Sequence, residues 1–268
     1  MNPDMQCSTD DLSLAQSLAD HADALTLSRF RALDLVVEKK PDLTEVSDAD
    51  KSVELGLRSI LQQERPSDGV IGEEFAQTSG SGRTWIIDPI DGTKNYVRGV
   101  PVWATLIALR DDSGIGLGLV SAPALGRRWW ALRGHGAWTQ ESFLNTDVPR
   151  QLRVSEVNEI SHASVSTSDP NGWNKESKDT LERVAWRNRA YGDFWSHCLV
   201  AEGAVDIAAE PELALYDYAA LIPILTESGG VATQFDGHPL PIFDAQANPS
   251  FLTTNSKLHG FVTELLNP

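Results

Sequence analysis

The sequence predicts a layered protein that combines α-helices with β-sheets, in the α/β (α+β) class. Two amphipathic helical segments come first along its 268 residues. Six strand-like segments fill the rest of the first half, and helices alternate with strands in the second half. Because a sheet or a helix must bury its apolar surface against another element, this order favours packed layers around a shared core.

Two helices are predicted to open the chain. Leucine and alanine residues recur at helical spacing from Leu14 to Leu25, which predicts a first helix that runs to about Glu38. The second helix is predicted to begin near Ser47 and Asp48, whose side chains suit the capping of a first turn. The strands that follow are predicted at Gly69–Ala76, Trp85–Ile87, 102–111, 114–123 and in a hairpin within 127–138, with a helix from Thr93.

A polar stretch at 145–153 separates two predicted halves, 1–148 and 149–268. The second half is predicted to be α/β. Its predicted elements are a strand in 162–168, a helix around Lys178–Arg187, extended chain at Arg189–Gly192, a helix at Phe194–Glu202, a strand at 205–210, a helix at Asp217–Ser228 and a strand at 251–255.

Composition narrows the classes of partner. The net charge is −16, which argues against nucleic acid or an anionic membrane surface as the main partner. An anionic substrate would be repelled as well, unless bound cations reverse the local field. There are two cysteines, and the sequence has neither a secretory signal pattern nor an apolar run long enough to cross a membrane, so we expect a cytoplasmic protein.

The most informative stretch is Trp85–Tyr96, WIIDPIDGTKNY, in which two carboxylates follow an apolar run. Buried strands do not normally end in unpaired negative charge. Pro89 fixes the backbone between Asp88 and Asp91, so the two acids can converge. The alternative interpretation is a plain turn, since every residue of the Asp-Pro-Ile-Asp-Gly-Thr stretch is common in turns.

Further acids can join this pair. Glu73 and Glu74 follow one predicted strand, and Asp217 opens a late helix. Taken singly, the glutamates would suit a solvated turn and Asp217 a helix cap. Together they match the preference of hard divalent cations for carboxylate oxygens from several elements. Gly92 and Thr93, at the predicted start of a helix, would offer N–H groups to a phosphate oxygen that such cations bridge.

Three segments carry a family resemblance: GEE at 72–74, WIIDPIDGTKNY at 85–96 and YDYAALIPILTESGG at 216–230. In this order they resemble the three signatures of the inositol-monophosphatase-like, Mg²⁺-dependent, lithium-sensitive phosphatases. The resemblance covers nearly the whole chain, although Tyr216 stands where the family usually has tryptophan. It implies a five-layered αβαβα sandwich, a homodimer and hydrolysis of phosphate monoesters.

The resemblance also implies a set of metal ligands. Glu73, Asp88 and the carbonyl of Ile90 would hold a first Mg²⁺. Asp88, Asp91 and Asp217 would hold a second, and Glu73, which would also serve catalysis, would contribute to a weaker third. Mn²⁺ can replace Mg²⁺ in such all-oxygen sites. The half at 1–148 would therefore carry most of the metal and phosphate groups.

Other roles follow from the same resemblance. Gly92 and Thr93 would bind phosphate through backbone N–H groups. The family has an acid that hydrogen-bonds the motif threonine and helps to activate water, and Asp48 is predicted to be that acid. Alternatively, Asp48 only caps the second helix. A family lysine corresponds to Lys39 or Lys40, and the sequence does not decide between them.

The leaving alcohol is predicted to be selected by the half at 149–268. Asp193 and Glu210 would make an anionic pocket, and Glu210 matches a substrate-contacting glutamate of the family. Arg189 is a third predicted substrate contact. Such a pocket suits a cationic alcohol, and the segment 191–212 resembles the actinobacterial histidinol-phosphate phosphatases of this superfamily, enzymes of histidine biosynthesis. The alternative for Asp193 is a helix cap.

Other activities stay open at this point. Inositol monophosphate is the main alternative substrate, and adenosine 3′,5′-bisphosphate and fructose bisphosphate are weaker ones. A scaffold without catalysis is disfavoured because the motif acids and Thr93 are all present. His197, among apolar neighbours, is predicted to be packed rather than catalytic.

Overall fold

Two large β-sheets and the helices around them organise the chain in the computed structural model, which describes residues 6–39, 45–144, 148–167 and 172–267. The larger sheet has seven strands and the smaller one five. The helices are α1 (Thr9–Arg29), α2 (Asp48–Glu64), α3 (Thr93–Val97), α4 (Lys175–Val184), α5 (Asp193–Ala201), α6 (Leu215–Tyr218), α7 (Leu221–Glu227) and α8 (His259–Leu266).

The strands follow one another as neighbours in the first half of the chain and cross over in the second half. In chain order they are β1 (Val37–Lys39), β2 (Glu45–Ser47), β3 (Gly69–Gly72), β4 (Thr84–Asp91), β5 (Ala104–Asp111), β6 (Gly114–Ala122), β7 (Arg127–Leu132), β8 (Ala137–Glu141), β9 (Arg150–Gln151), β10 (Ser164–Ser166), β11 (Arg187–Asn188), β12 (Ile207–Glu210), β13 (Gly230–Thr233) and β14 (Phe251–Asn255). The large sheet has the order β3-β4-β5-β6-β7-β8-β9, the smaller one β11-β10-β12-β14-β13, and β1 pairs with β2.

The core consists of apolar clusters between successive layers. Trp85 and Ile87 of β4 pack against α1 and α2, whereas Ile86, which points to the other face, packs with α5 and α7. The same central cluster takes in Phe251 of the smaller sheet. A third cluster joins that sheet to α4 and α8. The layers are therefore helix, sheet, helix, sheet, helix, which confirms the five-layered sandwich.

The first helix is shorter than predicted. It ends at Arg29 instead of near Glu38, although apolar residues continue at helical spacing beyond that point. Phe30 leaves the helix and packs its ring 5.4 Å from those of Tyr96 and Trp103. Arg31 follows with a left-handed backbone, at a φ of 61°. A tertiary aromatic contact thus overrides the local helical pattern.

The helix predicted at Asp217–Ser228 is divided into α6 and α7. Pro223 lies in the first turn of α7, where it has no N–H to donate to a preceding turn. The prediction of one continuous helix was wrong for that reason. The sequence interpretation also missed the short strands β1, β2, β9, β11 and β13 and the last helix, α8. The helix predicted around Lys178–Arg187 ends at Val184, and Arg187 lies in β11.

The large sheet ends close to the predicted boundary between the two halves. β9 lies just beyond the predicted boundary between residues 148 and 149, and it pairs with β8. Residues 145–147 lie outside the described part of the chain, and the division into two halves remains a prediction. Within the described residues, the helices are too short or too polar to cross a membrane.

Candidate active site

Three carboxylates from two elements converge at one edge of the large sheet. Asp88 and Asp91 end β4, and Asp217 lies on α6. One oxygen from each lies within 4.8 Å of the others. Asp88 is only 2% exposed, and the other two are half-buried. The residues that the signatures single out are therefore brought together in space.

A bulge in β4 lets its two acids converge. Pairing with β5 is regular up to Asp88 and resumes at Asp91, and Pro89 and Ile90 oppose the single residue Thr105. Residues three apart in a regular strand point to opposite faces, and one extra residue restores them to the same side. The hydroxyl of Thr105 donates to the carbonyl of Pro89 at 2.8 Å, and the N–H of Ile90 donates to Asp88 Oδ1 at 2.9 Å.

The carboxylates repel one another strongly. Burial raises the pKa of Asp88 well above its usual range, and the charges of Glu73, Asp91 and Asp217 raise it further. Burial likewise raises the pKa of Asp91, and Asp193 and Asp217 add to the effect. A divalent cation would relieve this repulsion, and carboxylate oxygens are the ligands that Mg²⁺ and Mn²⁺ prefer. The residues present therefore fit a metal site.

Glu73 joins the site from the neighbouring strand. β3 runs parallel to β4, and its last residue, Gly72, lies opposite Ile87. Glu73 therefore follows its strand at the same sheet edge as Asp88, and its charge contributes to the raised pKa of that residue. Its carboxylate is not one of the three that converge within 4.8 Å.

The acid that pairs with the motif threonine is Asp50, and the prediction of Asp48 was wrong on this point. Asp50 Oδ1 lies 3.2 Å from Thr93 Oγ1. The hydroxyl of Thr93 also lies 2.9 Å from the carbonyl of Ile90. Asp48 instead forms an ion pair with Arg29 at 2.8 Å.

Asp50 is held firmly at the start of α2. It is fully buried, and its Oδ2 accepts hydrogen bonds from the backbone N–H of Ser47 at 2.8 Å and from the Ser47 hydroxyl at 2.5 Å. Burial raises the pKa of Asp50, against the lowering effect of these hydrogen bonds. The capping bonds occupy one carboxylate oxygen and leave the other directed at Thr93.

Gly92 forms the N-cap of α3, directly after Asp91 of the carboxylate cluster. Its backbone is left-handed, at a φ of 83°. A Cβ atom there would lie 3.0 Å from the carbonyl oxygen of Val102 and 3.1 Å from Asp193 Oδ2, so both conformation and space favour glycine. The first N–H groups of a helix lack partners inside the helix, and those after Gly92 can receive an anion.

A cavity of about 170 Å³ adjoins the carboxylate cluster. Asp91 and Asp217 of that cluster line it, together with Asp193, Glu210, His197 and apolar side chains. Among the described residues, those that line it include neither lysine nor arginine. Glu210 is only 3% exposed and lies at the end of β12. Asp193 and Glu210, which the sequence predicts in an anionic pocket, thus line one cavity, and their contact with a substrate stays a prediction.

Asp193 begins α5, in a left-handed conformation at a φ of 41°. The N-cap of this helix is Gly192, which has no side chain. The Asp193 carboxylate instead accepts a hydrogen bond from Asn95 Nδ2 of α3, at 3.3 Å. The next residue, Phe194, donates its N–H to Asp91 Oδ2 at 2.8 Å. The start of α5 therefore joins the cavity to a predicted metal ligand.

His197 is packed, as predicted, and also lines the cavity. It is 1% exposed, its Nδ1 lies 2.8 Å from the hydroxyl of Thr253, and its ring centroid lies 4.6 Å from that of Phe251. Burial lowers its pKa to about 3, which keeps the ring neutral near pH 7. Its Nε2 atom has no hydrogen-bond partner among the described residues.

Two sequence predictions concern basic residues. Arg189 is exposed, donates to the carbonyl of Asn188 at 2.7 Å, and does not line the cavity. Its role as a substrate contact stays a prediction that no contact supports. Lys39 is exposed on β1, and Lys40 lies outside the described residues, so the choice between them stays open.

The sequence interpretation missed two buried acids of α2. Asp50 and Glu54 are both fully buried, with Val53, Leu57 and Leu61 on the same helix. Acids at helical spacing within an apolar stripe are unusual, because burial of a charge needs a partner. That pattern in the sequence could have identified Asp50 and Glu54 as buried acids. The contact of the Phe194 N–H with Asp91 has no signal in the sequence.

A buried carboxylate cluster beside a helix N-terminus, with a separate cavity next to it, defines the site of a metal-dependent phosphatase. The chain belongs to the inositol monophosphatase family, which it matches over residues 9–267. Phosphatases of this family are metal-dependent and hydrolyse phosphate monoesters.

Relatives with known names cover nearly the whole chain. The histidinol-phosphatase of Streptomyces coelicolor is 52% identical over 96% of this chain and 97% of its own length. That of Mycobacterium tuberculosis is also 52% identical, over 97% of this chain and 99% of its own. Among solved structures, the IMPase of Thermotoga maritima superposes with a TM-score of 0.85 at 27% identity, covering 96% of this chain and 97% of that one.

Proposed function

We propose that this protein hydrolyses histidinol phosphate to histidinol and phosphate. The observation that carries the proposal is the wall of the cavity, where the carboxylates of Asp193 and Glu210 lie next to the cluster of Asp91 and Asp217. The two 52% identical relatives are histidinol-phosphatases, which supports the same substrate.

The chemistry of the alcohol fits this wall. Histidinol carries an ammonium group and an imidazole, and ammonium forms strong charge-assisted hydrogen bonds with carboxylates. A neutral polyol such as inositol offers no positive charge to either carboxylate. Phe194 also lines the cavity and offers an apolar surface to an imidazole ring.

The metal ligands complete the proposal. Glu73, Asp88 and the Ile90 carbonyl would hold one divalent cation; Asp88, Asp91 and Asp217 would hold a second; and Glu73 would contribute to a third. Mg²⁺ is the proposed ion, and Mn²⁺ suits the same oxygen ligands. When bound, such cations supply charge neutralisation for the phosphate and lower the pKa of water.

The remaining groups of the chain would bind, orient and accept a proton. The N–H groups of Gly92 and Thr93 would orient the phosphate at the start of α3. The Thr93 hydroxyl, 3.2 Å from Asp50 Oδ1, would take the proton of the attacking water and pass its own to the carboxylate. Asp193 and Glu210 would hold the leaving alcohol by its cationic group.

The proposal is tested by the phosphate released, with Mg²⁺, from histidinol phosphate, inositol 1-phosphate and adenosine 3′,5′-bisphosphate. The wild type is compared with Asp193→Asn, because asparagine also tolerates a left-handed backbone and removes only the charge. Glu212→Gln is the matched control, since Glu212 is exposed and does not line the cavity.

We expect histidinol phosphate to be the best substrate of the wild type. Asp193→Asn should lower kcat/KM for it at least about tenfold, which corresponds to about 1.4 kcal/mol, while Glu212→Gln leaves it unchanged. A preference for inositol 1-phosphate that Asp193→Asn does not alter would contradict the proposed substrate and leave the metal site untouched.

Assembly and location belong to the same proposal. We propose a homodimer, the state that the family resemblance implies, in the cytoplasm, the compartment expected from the sequence. Sedimentation equilibrium at several protein concentrations gives the mass of the particle directly, to be compared with 29.3 kDa for one chain. A monomer at micromolar concentration would contradict the dimer.

A further inference from the structure

Glu54 is a charged residue that is fully buried on α2 and forms an ion pair with a neighbour on the same helix. Its side chain has no exposed surface. Arg58, one turn further along, donates from Nε to Glu54 Oε1 at 2.7 Å and is itself 14% exposed. Burying such a pair costs desolvation energy, and buried ion pairs are often no more stabilising than apolar residues of the same size. Stability alone therefore gives a poor account of Glu54.

The pair contacts the turn that follows β3. The backbone N–H of Glu74 donates to Glu54 Oε2 at 2.7 Å. Arg58 Nη2 donates to the carbonyl of Phe75 at 3.2 Å. The two charged groups therefore hold the two polar faces of one short piece of backbone, an N–H and a carbonyl in successive residues.

Gly72 lets this contact form. A Cβ atom built on Gly72 would overlap the carboxylate of Glu54, so any other residue would require that carboxylate to move away from the turn. Gly72 therefore does more than permit a turn at the end of β3. Because it has no side chain, the backbone can lie close to the buried carboxylate of Glu54.

Glu73 lies between Gly72 and the clamped residues 74 and 75. Its backbone is therefore fixed on both sides, by the β3–β4 pairing before it and by the Glu54–Arg58 pair after it. We infer that Glu54 and Arg58 are positioning residues that hold the carboxylate of Glu73 towards the metal site. This inference rests on the proposed role of Glu73 as a metal ligand.

Mn²⁺ binding to the intact protein tests the inference without any substrate. Electron paramagnetic resonance gives the free Mn²⁺, and hence the dissociation constant of each site, at a fixed pH. The variants are Glu54→Gln, which keeps the shape and loses the charge, and Arg58→Lys, which keeps the charge but cannot span Glu54 and Phe75 with one planar group.

Two reference variants separate the possible causes. Glu73→Gln measures how much affinity depends on the ligand itself. Asp11→Asn is the matched structural control, because Asp11 is a 1% exposed carboxylate paired with Arg83 at 2.7 Å, on a helix end away from the cluster. Asp11→Asn should lower the melting temperature by about as much as Glu54→Gln does.

We expect Glu73→Gln to weaken one Mn²⁺ site. Glu54→Gln should raise the dissociation constant of that same site by about tenfold, the scale seen for groups that orient metal ligands. Arg58→Lys should weaken the same site less, and Asp11→Asn should not change it at equal loss of melting temperature. If Glu73→Gln weakens binding and Glu54→Gln does not, the positioning role is overturned alone. If Glu73→Gln has no effect either, the assignment of Glu73 as a ligand falls with it.

Discussion

Replacing Asp50 by asparagine tests which acid serves the motif threonine. In the native chain, Asp50 Oδ2 is occupied by the Ser47 N–H and hydroxyl, and Oδ1 lies 3.2 Å from Thr93 Oγ1. Asparagine must keep its single oxygen on the Ser47 N–H, because that donor would otherwise be left without an acceptor. Its NH₂ group would then face Thr93 and could not accept a proton.

The expected loss is large and falls on kcat. A positioned base contributes about 10²- to 10⁴-fold, which corresponds to about 3–5 kcal/mol in the barrier. The loss of a capping interaction at α2 should cost only about 1 kcal/mol of folding stability. Asp48→Asn removes an ion pair whose acid is 39% exposed, worth about 0–1 kcal/mol, and should leave kcat within about twofold.

The assay is phosphate release at saturating substrate and Mg²⁺, with melting temperatures for every variant. Asp11→Asn is the matched control for the cap, because Asp11 accepts from the Ser8 N–H at 3.0 Å and the Ser8 hydroxyl at 2.8 Å, as Asp50 does from Ser47. Asp11→Asn should lose stability and keep kcat. Equal losses of kcat in Asp48→Asn and Asp50→Asn, or a kcat above half of the wild-type value in Asp50→Asn, would refute the reasoning.

Three further predictions concern stability. Burial lowers the pKa of His197 from 6.5 to about 3, so between these values the unfolded chain binds a proton that the folded chain does not, and stability falls as the pH falls. Between pH 7.5 and 4.5, the free energy of urea unfolding should therefore drop by about 2–3 kcal/mol more in the wild type than in His197→Asn, which can keep the contact with Thr253. Equal losses in the two proteins would contradict this cause. Mg²⁺ at about 100 times its dissociation constant should add about 2.7 kcal/mol of stability, which corresponds to a rise in melting temperature of about 5–10 °C. Asp91→Asn should lose most of this rise, whereas Asp68→Asn should keep it, because Asp68 is paired with Arg83 away from the cluster. The same rise in both variants would show that the cation binds elsewhere. Trp103→Ala empties a fully buried site between the rings of Tyr96 and Phe30, at centroid distances of 5.0 and 5.4 Å. The variant should lose about 3–5 kcal/mol of unfolding free energy in the same urea assay. A loss below about 1 kcal/mol would mean that the neighbouring side chains collapse into the gap.

Local chemistry in the sequence was enough for several parts of the site. The apolar run that ends in two acids around a proline predicted a strand end where carboxylates converge, and the structure places Asp88 and Asp91 there with Asp217. Turn, strand and helix patterns predicted the order of most elements. These features depend on residues close together in the chain, where periodicity and turn preferences act directly.

Contacts between distant segments needed the tertiary structure. Asp48 and Asp50 differ by two residues, which is about 200° around a helix, so at most one of them can face Thr93. The apolar stripe of α2 indicates that Asp50 is the buried acid. Its contact with Thr93 depends on how α2 packs and needed the tertiary structure. The end of α1 was likewise decided by the packing of Phe30 on Tyr96 and Trp103.

The sequence by itself determined the family signatures, the acids of the carboxylate cluster and the two acids that line the cavity beside it. Only the folded chain decided how these meet. The N–H of Phe194 contacts Asp91 across 103 positions of sequence, and the Glu54–Arg58 pair reaches a turn 17 and 20 residues away. In each of these contacts one partner is a backbone group. Its position depends on how the layers pack, and no residue type or spacing in the sequence marks it.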